Sequence, residues 1–406
     1  MQIKPFIRNN VYANAHPLGC ATYVDELFTE AEQLENFDGP KRVLIIGGSS
    51  GYGLSTRVTL AQNAGASTLN VSFEQRPSDK RSGTAGFWNN VAFLKRAQTL
   101  NSKHLDLLGN AFGDAMKVKA IETIKAEFGT VDLVVYSLAA GARPNPETGT
   151  LVYSSLKPIG QDLVGKTIDV ATQTLKDIHI PAATQEDIDN TVYVMGGNDW
   201  QAWMEALDTA GCLAPGAKTI SYTYVGSGLM DKIYRSGTIG QAKNDLERCA
   251  RAIDQWLKPK YQGEALISSS KAVPTKASVF IPGITIYMAC LFDEMKAQGT
   301  HETTLAHKHR LYHDMIYGPN RLVDEQGRVR IDHHEMDAKT QERTIAATLA
   351  HQHEGVFNLP GTQLFLSDFH HIHGFGYDHI DYDDDVDVFA LIPANLSMLD
   401  VEEPES

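Results

Sequence analysis

Tyr234 and Lys243 stand nine positions apart in "IYRSGTIGQAKNDLERCARAID" (233–254). A tyrosine hydroxyl can give a proton to a developing oxyanion, and a neighbouring ammonium makes that easier by lowering the pKa of the phenol through its charge. On a straight α-helix, nine steps of about 100° leave two side chains on opposite faces, so the pair cannot cooperate if both lie inside one. Gly237, Thr238 and Gly240 interrupt the segment between them. The tyrosine is therefore predicted on a lead-in loop and the lysine inside the helix that follows, both facing one site. The alternative is a surface Tyr and Lys with no relation to each other.

A second group of residues bears on that choice. "LIIGGSSGYG" places Gly47, Gly51 and Gly53 in the pattern G-x-x-x-G-x-G, after the buried run Val43–Ile46 and before a helical segment. Glycines in that setting permit a tight turn and the close approach of a pyrophosphate to the backbone, and the helix N-terminus offers free N–H groups to it. Gly48 and Tyr52 complete the loop, and Ser49 and Ser50 add hydroxyl donors. Glu74 lies 21 residues past Gly53, at the end of the next strand. A carboxylate there accepts from both ribose hydroxyls and repels a 2′-phosphate, which favours NADH over NADPH. Arg76, two residues on, could offset that repulsion. A glycine turn needed only for helix–sheet packing is the plain alternative.

These residues need a scaffold. "KRVLIIGG", "STLNVSFE", "HLDLLGN", "VDLVVYSLA", "KTISYTYVGS" and "GEALISSS" read as strands, with helices between most of them, which predicts an α/β fold with a doubly wound parallel sheet. Residues 318–337 read as a β-hairpin between helices of a C-terminal third that ends in the acidic "YDHIDYDDDVDV". The chain has 406 residues, 42% hydrophobic and 21% charged, which suits a globular protein with a sizeable core. A net charge of −14 argues against nucleic acid as a partner. Four cysteines without short spacing read as buried thiols in a reducing compartment. With no apolar signal segment at the start and no run long enough to span a bilayer, a cytoplasmic protein without a membrane partner is expected. The histidines of "HETTLAH" (301–307), "HHEMD" (333–337) and "HHIHGFGYDH" (370–379) lack a fixed ligand spacing, so no metal is expected.

The motifs "HPLGC" (16–20), "GGSSGYGLSTR" (47–57), "GTAGFWNN" (83–90), "VMGGNDWQAW" (194–203), "SYTYVGS" (221–227), "IYRSGTIGQAKNDL" (233–246) and "FGYDHIDYDDDV" (375–386) run in order along nearly the whole chain. Together they resemble the FabV-type trans-2-enoyl-CoA and enoyl-acyl-carrier-protein reductases, the Y-x8-K branch of the short-chain dehydrogenase superfamily. The resemblance implies a single extended Rossmann-like domain over 1–406. Its dinucleotide-binding core would span about 40–285, with extra N-terminal strands, and a helical extension over about 286–406 would cover the substrate pocket.

It further implies Tyr234 as proton donor, Lys243 on the cofactor ribose, and Tyr224 as a contact of the substrate carbonyl or an aid to the donor. Phe73, Glu74, Asn110, Ala111, Leu138, Ala139, Val273, Pro274 and Thr275 would line NADH. The reaction implied is reduction of a trans-2-enoyl thioester by a monomer. This chain departs from the family pattern at Asn110-Ala111, at "SLAAG" (137–141), at "PTKAS" (274–278), which brings Lys276 beside the site, and at Arg235 next to Tyr234. Another conjugated substrate on the same scaffold, or a non-catalytic NADH-binding paralogue, are the alternatives.

Overall fold

The structure is a computed structural model that describes residues 1–8, 10–275, 281 and 283–402; Lys276 lies outside them. The buried apolar runs form the strands β1 (Arg42–Ile46), β2 (Ser67–Ser72), β3 (His104–Leu108), β4 (Val131–Tyr136), β5 (Leu213–Thr223) and β6 (Glu264–Ser269). Two short strands, β7 (Arg328–Arg330) and β8 (Met398–Asp400), complete one eight-stranded sheet in the order β7-β6-β5-β4-β1-β2-β3-β8. Every neighbouring pair in it is parallel. Val43, Leu44, Ile45 and Ile46 are all buried, as expected of a parallel strand covered on both faces.

The helices follow as α1 (Pro17–Glu32), α2 (Gly51–Asn63), α3 (Ala85–Ala97), α4 (Asp114–Glu127), α5 (Gln185–Met195), α6 (Asn198–Thr209), α7 (Thr238–Tyr261), α8 (Ile284–Ala297), α9 (Thr304–Arg310), α10 (Ala338–Ala350) and α11 (Pro360–His371). The chain leaves β1 towards β2 on one side, while β4 lies on the other. That reversal opens a crevice at the C-terminal ends of β1 and β4, where ligands bind in doubly wound sheets. The extra N-terminal strands are present as the two-stranded pair Ile7–Arg8 and Val11–Tyr12. The C-terminal third is helical and packs α8 against both α10 and α11.

The hairpin expected over 318–337 takes a different form. Arg328–Arg330 pairs in parallel with β6 at the sheet edge, and only the antiparallel bridge Val323↔Val329 remains of the hairpin. The buried Val329 and Ile331 belong to the core beneath the sheet, which draws this stretch away from a free-standing hairpin. Two antiparallel pairs went unforeseen, Ala142–Pro144 with Leu151–Tyr153 and Leu163–Asp169 with Thr174–Ile180. All four cysteines are buried, and no helix among the described residues is long and apolar enough to cross a membrane.

Two polar networks hold the parts that matter for the site. Beneath the glycine loop, Arg57 and Asp106 are both fully buried and paired at 2.9 Å. Asn70 donates to Asp106 at 2.5 Å and accepts the Gly48 N–H at 2.9 Å. The loop is thus tied through one amide to a buried ion pair. At the other side of the crevice, Asp187 belongs to the capping box of α5 with Thr184, and accepts from Ser155 Oγ and Lys157 Nζ, each at 2.9 Å. The Ser155–Lys157 backbone in turn meets Thr238, the first residue of α7, whose hydroxyl donates to the Ser155 carbonyl and accepts the Lys157 N–H at 3.1 Å. Replacing Asp187 by Ala removes its half of the capping box and both tethers. A loss of about 1 kcal/mol is expected, because the groups are partly exposed. Calorimetry should show a melting temperature roughly 1–2 °C lower.

Candidate active site

The glycine loop has the shape of a phosphate cradle. Gly47 adopts φ +95°, a conformation that disfavours side chains, and a Cβ there would lie 2.5 Å from the Ser137 carbonyl oxygen. A Cβ at Gly53 would lie 1.9 Å from the Gly47 carbonyl oxygen, so α2 can start this close to β1 only with glycine at that position. Ser50 precedes α2 in extended conformation and its side chain caps no backbone N–H. The free N–H groups of the first turn therefore face the crevice mouth and suit an anion.

Most of the residues singled out in the sequence gather around this loop. Glu74 accepts from Ser49 Oγ at 2.6 Å and from Thr84 Oγ1, and presses against Gly86 of α3, where a Cβ would sit 1.9 Å from its Oε1. Arg76 is held by Asp400 of β8 at 2.9 Å, so its charge is already matched and does not offset Glu74. Thr275 brings the 273–275 turn to the loop, its methyl 3.4 Å from the Cβ position of Gly51. Leu138 and Ala139 follow β4, whose end is bonded to β1 through Ser137 N–H to Ile46 O at 2.8 Å. Asn110 and Ala111 follow β3 at the same edge. The Asn110 side-chain oxygen accepts the Phe112 N–H at 3.1 Å, and the Ala111 carbonyl accepts from Trp203. Phe73 is largely exposed. Tyr52 differs from its loop neighbours: its hydroxyl donates to the Lys271 carbonyl at 2.7 Å, and its ring lies 4.0 Å from the buried Lys308 ammonium. It is bound into the wall of the crevice.

Tyr234 lies on the turn before α7, with its N–H bonded to Met230 O, and Lys243 lies in the second turn of α7. Gly240 sets the helix against the tyrosine's turn. A Cβ there would lie 2.3 Å from the Tyr234 carbonyl and 2.2 Å from that of Arg235, so the helix packs directly on the tyrosine's turn. Gly240 and Lys243 are three apart and share a helical face. The lysine therefore projects from the face that carries Tyr234, and the nine-residue spacing presents no phase problem.

Lys243 is half-buried and has no ion pair among the described residues. Burial lowers its pKa to about 8, opposed by the charge of Glu247 one turn on. Glu247 is itself shared with Arg235 and Arg328, both at 3.2 Å. Arg235 is thus turned to Glu247 and leaves no free charge beside the phenol.

Tyr224, one residue past β5, meets Tyr234 edge to face with ring centroids 4.6 Å apart. Burial pushes both phenols well above their ordinary pKa, and the charge of Glu335 adds to the shift. Glu335 escaped the sequence reading. It is fully buried and accepts from Tyr224 Oη at 2.7 Å, from Tyr287 Oη of α8 at 2.8 Å and from the Ala272 N–H at 2.6 Å. Its only sequence signal, "HHEMD", drew attention to the histidines. "FHHIHGFGY", at the end of α11, packs on the N-terminal segment, where Tyr12 stacks on Phe375 at 5.1 Å and bonds His370.

The fold thus supplies a glycine turn before an uncapped helix N-terminus, a carboxylate after the next strand, an ammonium with no ion pair among the described residues and two phenols in contact, a set of groups that suits a nicotinamide dinucleotide. Residues 81–317 match the model of the trans-2-enoyl-CoA reductase catalytic region, and residues 2–79 that of the NAD(P)H binding domain of trans-2-enoyl-CoA reductase. Residues 323–386 match the model described as the enoyl reductase FAD binding domain. The chain is 41% identical over 396 residues to an enoyl-acyl-carrier-protein reductase (NADH) of Burkholderia ambifaria, covering 97% of this chain and 98% of that protein. It is 43% identical over 387 residues to the Saccharophagus degradans protein of the same name, covering 95% and 98%. Among solved structures, the trans-2-enoyl-CoA reductase of Clostridium acetobutulicum in complex with NADH superposes with a TM-score of 0.94 at 36% identity, over 97% of this chain and 100% of that one. The Treponema denticola trans-2-enoyl-CoA reductase in complex with NAD gives 0.89 at 37% identity, over 95% and 98%.

Proposed function

The chain belongs to the trans-2-enoyl-CoA reductase family, and from that premise we infer that it reduces the carbon–carbon double bond of a trans-2-enoyl thioester with NADH, as in fatty acid synthesis. The observation that supports this reading is the packing of α7 at Gly240 on the turn that carries Tyr234, three residues before Lys243. Bound NADH supplies a hydride to the β-carbon; the rest of the chemistry belongs to the protein. Gly47, Gly48, Ser49, Ser50, Gly51 and Gly53 hold the diphosphate by backbone N–H groups and hydroxyls, and Glu74 accepts from the ribose at the adenine end. Lys243 holds the other ribose with its ammonium. The 138–139 and 273–275 segments border the nicotinamide pocket.

Charge develops on the thioester oxygen as the double bond is reduced, and Tyr234 meets it with a hydroxyl proton that burial keeps in place. The enolate then takes a proton from water at its α-carbon, so that one hydride and one proton have been added across the double bond and the Tyr234 hydroxyl is left as it was. Tyr224 supports this donor. The core and the helical extension act as one unit in this reading, since Tyr224 follows a core strand while Tyr287 and Glu335 come from the extension.

Oxidation of NADH on addition of crotonyl-CoA tests the proposal directly, and no turnover with either crotonyl-CoA or its acyl-carrier-protein thioester would overturn it. The ratio of the two rates decides the carrier. A cytoplasmic monomer is the proposed state, and light scattering at working concentration checks the second half of it.

Cofactor choice should follow Glu74. With Arg76 committed to Asp400, a 2′-phosphate meets an uncompensated carboxylate, and like charges placed together are strongly disfavoured. The enzyme should therefore use NADH well ahead of NADPH, and Glu74→Ala should raise the NADPH/NADH ratio of kcat/KM by about 10-fold or more. Equal use of both cofactors by the unmutated enzyme would remove the assignment.

A further inference from the structure

Tyr224 has one hydroxyl proton, and the structure shows where it goes. Its Oη donates to Glu335 Oε1 at 2.7 Å. The same oxygen accepts from Tyr287 at 2.8 Å, and Oε2 accepts the Ala272 N–H at 2.6 Å. Gln341 donates to the Tyr287 oxygen at 2.8 Å and to the Glu335 carbonyl at 2.8 Å, which fixes the far side of the cluster. A phenol whose proton is held in this way can only accept on its remaining lone pairs. It cannot also donate to a thioester oxygen.

We propose that Glu335 is a positioning residue for the reduction: by holding the proton of Tyr224 it keeps that hydroxyl from donating to the substrate oxygen and leaves Tyr234 as the single donor there. The inference rests on the reading of Tyr234 as donor. The edge-to-face contact of the two rings, 4.6 Å between centroids, sets Tyr224 directly beside that donor. Glu335 lies just before α10, Tyr287 in α8 and Tyr224 just after β5, so the contact also makes the helical extension a working part of the site.

Glu335→Gln tests this at constant volume. The Ala272 N–H requires an acceptor, which turns the amide oxygen towards it and the NH₂ group towards Tyr224 and Tyr287. Tyr224 then becomes an acceptor of the amide, its proton is released, and it competes with Tyr234. With crotonyl-CoA and NADH, kcat should fall on the order of 10–100-fold, as when a charge-assisted hydrogen bond is lost. KM for the thioester and the Kd for NADH should stay within about two-fold. In a Tyr224→Phe background the same substitution should change kcat by less than about two-fold, because its route of action is gone. Equal falls in both backgrounds would show independent packing and overturn the proposal, as would full kcat in a folded Glu335→Gln enzyme. Should that variant fail to fold, Glu335→Asp keeps the charge, sets it back by one methylene and permits the same comparison.

A second readout needs no turnover. In enzyme labelled with ¹³Cζ-tyrosine, the Tyr224 resonance, assigned by its loss in Tyr224→Phe, should shift in Glu335→Gln; an unmoved resonance would overturn the proposal. An unmutated enzyme inert towards crotonyl-CoA would remove the reading of the reaction instead, and the resonance alone would then decide the Glu335 contact.

Discussion

Tyr234→Phe should lower kcat by about 10²–10⁴ and leave the Kd for NADH nearly unchanged, because it removes one hydroxyl that acts only as charge develops on the substrate. The buried phenol is held in its acid form, and no described residue accepts its proton, so the hydroxyl is free for the thioester oxygen. Tyr224→Phe should cost less, since that hydroxyl is committed to Glu335 and acts through its neighbour. Steady-state kinetics on both variants with crotonyl-CoA separates the two roles. A near-normal kcat for Tyr234→Phe beside an inactive Tyr224→Phe would exchange the assignments, and two near-normal variants would dismiss the mechanism.

Lys243→Met should weaken NADH binding by about 10-fold or more and nearly abolish turnover, with the circular dichroism spectrum retained. A half-buried ammonium without an ion pair among the described residues has hydrogen-bonding capacity to offer a ribose, and charge-assisted bonds of that kind are the stronger ones. The charge also has a pH signature. Burial sets the Lys243 pKa at about 8, so the cationic form that holds the ribose is present below that pH and is lost as the pH rises through it. NADH affinity measured by fluorescence titration should therefore weaken above about pH 8, and this step should vanish in Lys243→Met. Unchanged affinity in a folded variant would mean that the Tyr234–Lys243 spacing is a coincidence.

Much of this site was legible in the sequence because its parts are local. Gly47 and Gly53 mark a turn whose close contacts forbid side chains, Gly237 caps the start of α7 just after Tyr234, and Gly240, inside that helix, lets it pack on the tyrosine's turn. The central strands were legible for a similar reason: "RVLII" and "VDLVVY" are continuous apolar runs, the pattern of a strand buried on both faces. What was not legible depends on distance along the chain. Glu335 meets Tyr224 across 111 positions, and nothing in "HHEMD" signals that its carboxylate is buried under two phenols. β7 and β8 have three residues each, too few to show a period, and exist because β6 and β3 offer open edges. The compensation of Arg76 by Asp400 follows from β8 and was hidden with it.

Those edge strands govern how the chain can be made. A ribosome delivers residues in order, and β3 ends at Leu108 while its partner β8 begins at Met398. At about 5–20 residues per second, the nascent core waits roughly 15–60 s with the outer edge of β3 unpaired. The opposite edge, β6, waits for residues 328–330. An exposed parallel edge is a template for pairing with another chain. Nascent chains stalled before residue 398 should therefore be the aggregation-prone species, and holdase chaperones that cover bare strand edges should matter while residues 109–397 are made.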